Sequence, residues 1–365
     1  DTLILDGGTG EVFLRPGAEA EETFDEKLRV RSEQLARFSE KKAEPAVTKD
    51  GEDIAVEMNA GLVMDMALID EVGAAGVGLF RTELQFLVGR TLPSVSEQTA
   101  TYKAAMDAAD GARVVFRTAD LGSDKRPGFM HGPLEANPAM GWRGLRMTID
   151  REGLLRMQLR ALIAAAAGRP LTILLPLVTQ AAEFEQARGI IEKELQRTEK
   201  MGALLPESLE IGAMIEIPSA AWGARALARQ ADFLSIGGND LAQFFFAADR
   251  ESDIVSARYD YLSADFISFL KRTADEARAE ETPLGYCGEQ AADPLMALAL
   301  LGIGIDRMSV AASAVLPLKE MIRHVDRGQL REAVDAALRK SGMVPLRQQM
   351  EEVARDLGVP IVRPI

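Results

Sequence analysis

Cysteine occurs once in 365 residues, at Cys287, so no disulfide can close within the chain and a disulfide-stapled secreted domain is excluded. Histidine is almost as scarce. His131 stands in a loop-like stretch and His324 follows Ile322-Arg323 in an outer helix, at the surface, so both are poor candidates for acid–base chemistry. No run of about 18 apolar residues occurs, which leaves no membrane-spanning segment. Basic charge is in deficit, with a formal net charge of −14. General adhesion to nucleic acid or to an anionic membrane surface is therefore excluded, while a local cationic pocket is not. An initiating methionine is missing too: the chain opens at Asp1 without a signal-like segment and reads as a piece of a longer polypeptide. A reducing, cytoplasmic compartment is the expectation.

What is present is ample for one large core, because 47% of residues are hydrophobic. Residues 1–20 alternate apolar and polar around Gly7-Gly8-Thr9-Gly10, a hairpin signal that ends at Arg15-Pro16-Gly17 and is too short to fold alone. Residues 21–44 favour a charge-rich connector helix with Phe24, Leu28, Leu35 and Phe38 on one stripe, and Glu40-Lys41-Lys42 reads as solvated. From 45 to 365, short β-like runs alternate with helical stretches. The runs are Ile54–Met58, Gly76–Phe80, Arg113–Phe116, Leu171–Leu175, Glu210–Ile215, Phe233–Ile236, Leu284–Tyr286 and Arg307–Val310. Helical stretches fall at 62–73, 95–109, 151–167, 180–201, 219–230, 264–279, 293–302 and 314–323, with amphipathic helix again over 326–358. Eight β/α repeats predict an α/β fold, a (β/α)8 TIM barrel with a short N-terminal β remnant and connector helix. A doubly wound open sheet is the alternative.

In barrels the working residues sit at the C-terminal ends of strands. Nearly every predicted strand here ends in a reactive group: Asn59, Arg81-Thr82-Glu83, Arg117-Thr118-Ala119-Asp120, Glu216, Asn239-Asp240, Cys287-Gly288-Glu289 and Ser309. Glu216 and Asp240, on neighbouring strands, fit a hard cation such as Mg²⁺, which takes one or two carboxylates plus waters and substrate oxygens. They fit equally a pair of carboxylates bonded to helix N-termini or arginines. The cations Arg81, Arg117, Lys125, Arg143 and Arg250 suit an anionic, phosphate-bearing small molecule, or else ion pairs with the mouth's own acids. Gly237-Gly238 allows backbone N–H groups to approach an anion, or is simply a turn. Cys287 is either a bland buried thiol or, beside Glu289, a proton donor or acceptor. The Phe244-Phe245-Phe246 run is core or mouth lining. The stretch from Thr118 to about Gly144 is a long loop of the kind that carries function.

Seven motifs, in order, carry a resemblance. They are Gly76-Val77-Gly78-Leu79-Phe80-Arg81-Thr82-Glu83, Arg117-Thr118-Ala119-Asp120-Leu121-Gly122-Ser123-Asp124-Lys125 and Asn137-Pro138 with Gly141-Trp142-Arg143-Gly144. Then come Glu216-Ile217-Pro218, Ser235-Ile236-Gly237-Gly238-Asn239-Asp240-Leu241, Ala248-Asp249-Arg250 and Cys287-Gly288-Glu289. Together they resemble the C-terminal domain of Enzyme I of the phosphotransferase system, the phosphoenolpyruvate–protein phosphotransferases, over essentially the whole chain. The resemblance implies that Glu216 and Asp240 hold Mg²⁺ and that Arg81, Arg117, Lys125 and Arg250 grip the phosphoryl group. It also implies that Asn239 orients substrate and that Cys287 protonates the enolate carbon as pyruvate forms. It further implies transfer to a histidine on an N-terminal region absent here, then to a small carrier protein, and a homodimer formed through this domain. Residues 1–20 would be the end of the phosphohistidine domain.

Two positions depart from the family's pattern: Ser123 replaces a glycine and Ala136 a glutamate, neither of them a ligand. The phrases Leu174-Leu175-Pro176-Leu177-Val178-Thr179 and Gly144-Leu145-Arg146-Met147-Thr148-Ile149-Asp150 look more like the nitrogen-related Enzyme I than the sugar-transport one. Other readings are the barrel of a pyruvate phosphate dikinase or phosphoenolpyruvate synthase, an Mg²⁺-dependent keto-acid aldolase or lyase, and a barrel retained as a sensor.

Overall fold

A computed structural model describes residues 2–6, 11–88, 91–122, 127–128, 135–256, 258–340, 342 and 344–362. The opening residues form the expected hairpin, β1 (Leu3–Asp6) and β2 (Glu11–Leu14), with Leu3 opposite Leu14 and Leu5 opposite Val12. Phe13 turns to the other face and meets Phe24 with ring centroids 5.8 Å apart. Phe24 belongs to the connector helix, which spans Ala18–Glu40 rather than 21–44: Pro16-Gly17 ends the strand and the helix follows at once.

The side chains of Glu40 and Lys41 are exposed, as expected, but the backbone at the helix end is not left to solvent. A helix ends with carbonyls that have no partner of their own, and here basic side chains from the helix Ala312–Ile322 and its flank supply donors nearby. Lys319 Nζ donates to the carbonyls of Lys42 (2.5 Å) and Gly73 (2.7 Å). Arg323 donates to the carbonyls of Lys41 (3.1 Å), Glu44 (2.8 Å) and Pro45 (3.2 Å). Lys42 Nζ in turn donates to the carbonyl of Asp70. His324, expected at the surface of that outer helix, lies half-buried in the turn after it, with Nδ1 2.9 Å from the Glu320 carbonyl.

All eight apolar runs form strands. These are β3 (Ala55–Ala60), β4 (Gly76–Arg81), β5 (Arg113–Arg117), β6 (Pro170–Leu175), β7 (Ser208–Ile215), β8 (Phe233–Ile236), β9 (Leu284–Tyr286) and β10 (Arg307–Val310). They pair in parallel in chain order, and β10 pairs with both β9 and β3, so the sheet closes and the open doubly wound alternative is excluded. Helices start where short polar side chains take up their first N–H groups. Ser94 and Glu97 form a capping box, Ser263 accepts from Phe266, Asp293 from Leu295 and Asp326 from Gln329. The helix expected over 219–230 divides at Gly223 into Pro218–Trp222 and Ala224–Ala228, and 326–358 divides into Arg327–Arg339 and Leu346–Asp356.

Strand parity decides what faces the barrel axis. Counting by twos, one face carries Glu57 and Asn59, Arg113, Val115 and Arg117, Leu174, Met214 and Glu216, Ser235, Cys287, and Arg307 and Ser309. A separate apolar cluster of Leu79, Val115, Leu174, Met214, Phe233 and Cys287 fills the barrel's middle. Below it the floor is closed by charge: Glu57 pairs with Arg307 and, at 3.6 Å, with Arg113, which also reaches Glu210 at 2.9 Å. Above it the same parity delivers the residues of the mouth.

Candidate functional site

The last inward position of β5 is Arg117 and the first after β7 is Glu216, so both are carried to the C-terminal mouth, Arg117 behind Val114-Val115-Phe116 and Glu216 behind Ile211–Ile215. Both are buried, as is Asp240 in the first turn of the helix Gly238–Phe246 that follows β8. Arg117 donates to Glu83 Oε1 at 2.9 Å and lies 3.8 Å from Asp120. Burial opposes its charge, but Glu83, Asp120, Glu216 and Asp240 outweigh that and hold the guanidinium above its ordinary value. Arg143, just before the helix Gly144–Asp150, forks onto Asp120 with Nε to Oδ1 at 3.1 Å and Nη2 to Oδ2 at 2.6 Å. Its other nitrogen lies 3.8 Å from Asp240 Oδ1, and Arg250 lies 3.7 Å from the same oxygen.

The carboxylates are out of balance. Glu216 Oε1 accepts the Leu177 N–H at 2.6 Å. Even so, burial first, and then the like charges of Asp240 and Asp120, push its carboxyl up to about 8. Leu177 holds this N–H in place from the left-handed region, at φ 51°, a strained backbone for a branched side chain. Among the described residues only five buried side-chain polar atoms lack a hydrogen-bond partner, and three belong to this mouth: Arg117 Nε, Thr118 Oγ1 and Asp240 Oδ1. Buried polar groups are nearly always bonded, so this concentration of unsatisfied donors and acceptors sets the mouth apart from the rest of the described protein. Among the described residues no three of His, Cys, Asp and Glu form a metal cage.

The other sequence-predicted residues border this cluster. Asn59 accepts from Ser309 Oγ at 2.7 Å and donates to the carbonyl of Cys287 at 3.3 Å. Cys287 is buried, its Sγ 3.4 Å from the carbonyl of Ile236, and burial pushes the thiol up to about 11. Asn239 accepts the Glu289 N–H at 3.3 Å. Arg81, at the exposed rim, pairs with Glu289 at 3.0 Å, so an anion must compete for it. Gly237-Gly238 answers a packing need: a Cβ on Gly238 would lie 2.0 Å from Tyr286 Oη, and one on Gly237 2.8 Å from Glu216 Oε2. Phe245 and Phe246 of the triple-Phe run pack half-buried with Phe266. Lys125, with Ser123 and His131, lies outside the described residues. Reading the sequence by motif missed the support beneath the mouth. Glu83 and Asp120 stand in the motifs as strand-end acids, but nothing in their spacing assigns them to Arg117 and Arg143. Leu177 carried only a backbone group, invisible to side-chain reasoning.

The structure is a closed parallel barrel whose mouth gathers arginines around the buried carboxylates Glu216 and Asp240, with one Asp240 oxygen lacking a hydrogen bond. The chain belongs to the family of PEP-utilising enzymes, through their PEP-binding domain, which matches residues 35–327. It is 37% identical over 338 residues to a phosphoenolpyruvate-protein phosphotransferase of Latilactobacillus sakei, covering 93% of this chain and 59% of that protein. It is 35% identical over 352 residues to one of Haemophilus influenzae, covering 96% of this chain and 61% of that protein. A third, from Staphylococcus carnosus, is 33% identical over 356 residues, covering 98% and 62%. The chain thus spans about three-fifths of the length of these relatives. Among the described residues no helix is long and apolar enough to cross a membrane.

Proposed function

We propose that the mouth binds phosphoenolpyruvate with Mg²⁺ and that the chain is the substrate-binding part of a phosphoenolpyruvate–protein phosphotransferase. The observation that carries this reading is the set of buried polar atoms without hydrogen-bond partners, Arg117 Nε, Thr118 Oγ1 and Asp240 Oδ1, beside a Glu216 carboxyl raised by burial and by its neighbours' charge. Glu216 and Asp240 are the residues that would hold Mg²⁺. Two carboxylates, one with an unsatisfied oxygen, fit an ion that completes its octahedron with substrate oxygens and water. When bound, the ion supplies charge neutralisation for the oxygens of the transferring group.

The chain's own residues do the rest. Arg117 and Arg250, with Arg81 once it leaves Glu289 and with Lys125, grip the phosphoryl oxygens, and Asn239 orients the substrate. Positioning and charge stabilisation are most of what phosphoryl transfer asks of a protein. The P–O bond to the enolate oxygen breaks as a P–N bond forms to a histidine of an N-terminal region, and the electron pair stays with the enolate. Cys287, a thiol at neutral pH with a proton to give, protonates the enolate carbon and pyruvate results.

Residues 1–20 fit the end of the phosphohistidine domain, 21–44 the connector, and 45–365 the binding and dimerising barrel. The relay then continues to a small carrier protein in the cytoplasm. The phrases at Leu174–Thr179 and Gly144–Asp150 favour the nitrogen-related branch. Calorimetry tests the reading: phosphoenolpyruvate should bind this chain with Mg²⁺ and not without it, and Glu216→Ala or Asp240→Ala should abolish the Mg²⁺-dependent component. Binding that is indifferent to Mg²⁺, or to both substitutions, would sink the assignment of the two carboxylates.

A further inference from the structure

The ladder between β4 and β5 stops with Arg81 opposite Arg117. The residues just beyond are tied together by a side chain from outside the barrel. Gln158, on the helix Glu152–Ala165, is buried, and its amide reaches both strand ends. Its Oε1 accepts the Ala119 N–H at 2.9 Å. A backbone N–H can only donate, so this bond fixes which way the amide faces. Nε2 is thereby committed to donating, and it donates to Thr82 Oγ1 at 2.9 Å and to Tyr102 Oη at 3.0 Å. Thr82 Oγ1 passes its own hydrogen to the carbonyl of Arg117 at 2.9 Å, and Tyr102 Oη passes its hydrogen to Gln98 Oε1 at 3.3 Å. Every bond in the chain has one possible direction.

Resting on the reading of the mouth given above, we infer that Gln158 is a positioning residue for phosphoenolpyruvate binding. It sets the spacing between the Arg81–Glu83 arm and the Arg117–Asp120 arm. The alternative, a buried glutamine that merely stabilises its helix, does not fit its partners. None is on its own helix; two lie on the strand-end arms and the third on the helix Val95–Ala108. The next residue along each arm closes the frame, because the Asp120 N–H donates to Glu83 Oε1 at 2.8 Å. Asp120 then forks Arg143, and Glu83 holds Arg117. One amide therefore lies behind two guanidinium groups, and small misplacement of such groups is expensive in binding and rate.

The test compares Gln158→Met, Thr82→Val and Tyr102→Phe with the wild type, all held well below their unfolding midpoints. The phosphoenolpyruvate Kd with Mg²⁺ is measured by calorimetry, and amide hydrogen exchange is followed at Ala119 and Asp120. Gln158→Met and Thr82→Val should each weaken binding about tenfold or more, as outer-shell changes do. The double variant should lose less than the two singly added, because they break one chain. Tyr102→Phe removes a hydroxyl that serves Gln158 and Gln85 but leaves the bonds from Gln158 to Ala119 and Thr82 in place, so binding should stay within about twofold even where its midpoint falls as far. Exchange at Ala119 and Asp120 should speed up in Gln158→Met and not in Tyr102→Phe. Wild-type binding with Gln158→Met within twofold of it would overturn the inference alone. Wild-type protein that does not bind phosphoenolpyruvate would overturn the functional reading and this inference with it.

Discussion

The Glu216 carboxyl accepts a backbone N–H, yet burial first, and then the charges of Asp240 and Asp120, push it up to about 8. Its folded value lies above the ordinary value of 4.5, so the sign of the linkage is fixed. Its contribution to stability is complete below about pH 4.5, where both states carry the proton, and is lost as pH rises toward 8, where the folded state must ionise. The expected result is a Glu216→Gln variant that melts higher than wild type near pH 9 and lacks this component of the pH dependence. Mg²⁺ added alone should raise the wild-type midpoint near pH 8 and leave the Glu216→Gln midpoint unmoved. Thermal scans across pH check both, and a variant that melts lower than wild type at high pH would reverse the sign. Cys287 is the opposite case, a group whose raised value keeps it in the state its role needs. Cys287→Ala should leave phosphoenolpyruvate affinity within about twofold. In the full-length enzyme it should stop pyruvate formation, and normal turnover would remove the thiol from the proton transfer.

At the scale of elements, the strands were legible almost to the residue, because eight buried parallel strands leave eight apolar runs bounded by turns. The helices were legible where polar caps or glycines punctuate them, and less so at Gly223, where a single glycine inside an apolar pattern gave no sign that the helix divides. What the pattern hides is how outer helices are fastened to each other. Glu194, on the helix Ala181–Lys200, is fully buried, with Arg156 at 2.9 Å and Arg160 at 2.7 Å reaching it from the neighbouring helix and Arg197 at 3.8 Å on its own. Glu194→Ala should cost about 1–3 kcal/mol, since it strands three arginines that are themselves partly hydrated. Glu194→Met should cost less than Glu194→Gln if packing rather than charge dominates there. Denaturant unfolding of the three variants separates the two contributions.

Across the whole molecule, the connector helix is fastened to the end of the barrel opposite the mouth. Gly73, whose carbonyl Lys319 takes up together with that of Lys42, lies just before β4, at the strand's N-terminal end. A helix of 23 residues is about 35 Å long, so its far end and the hairpin can stand that distance from the anchor. The hairpin's outer face carries Leu3, Leu5, Val12 and Leu14, all more than half exposed. If a phosphoacceptor region travels to and from the mouth, the movement must arise beyond Lys41, because the junction itself is tied by five side-chain bonds to backbone carbonyls. Lys319→Met keeps the apolar stem and removes the ammonium, leaving the Lys42 and Gly73 carbonyls without it. That should loosen the junction by about 1–3 kcal/mol. Hydrogen exchange should then quicken along Ala18–Glu40, while phosphoenolpyruvate affinity, set at the opposite end of the barrel, stays where it was. Exchange unchanged along that helix would mean that Arg323 alone holds the junction; affinity falling in step would mean that floor and mouth are coupled through the barrel.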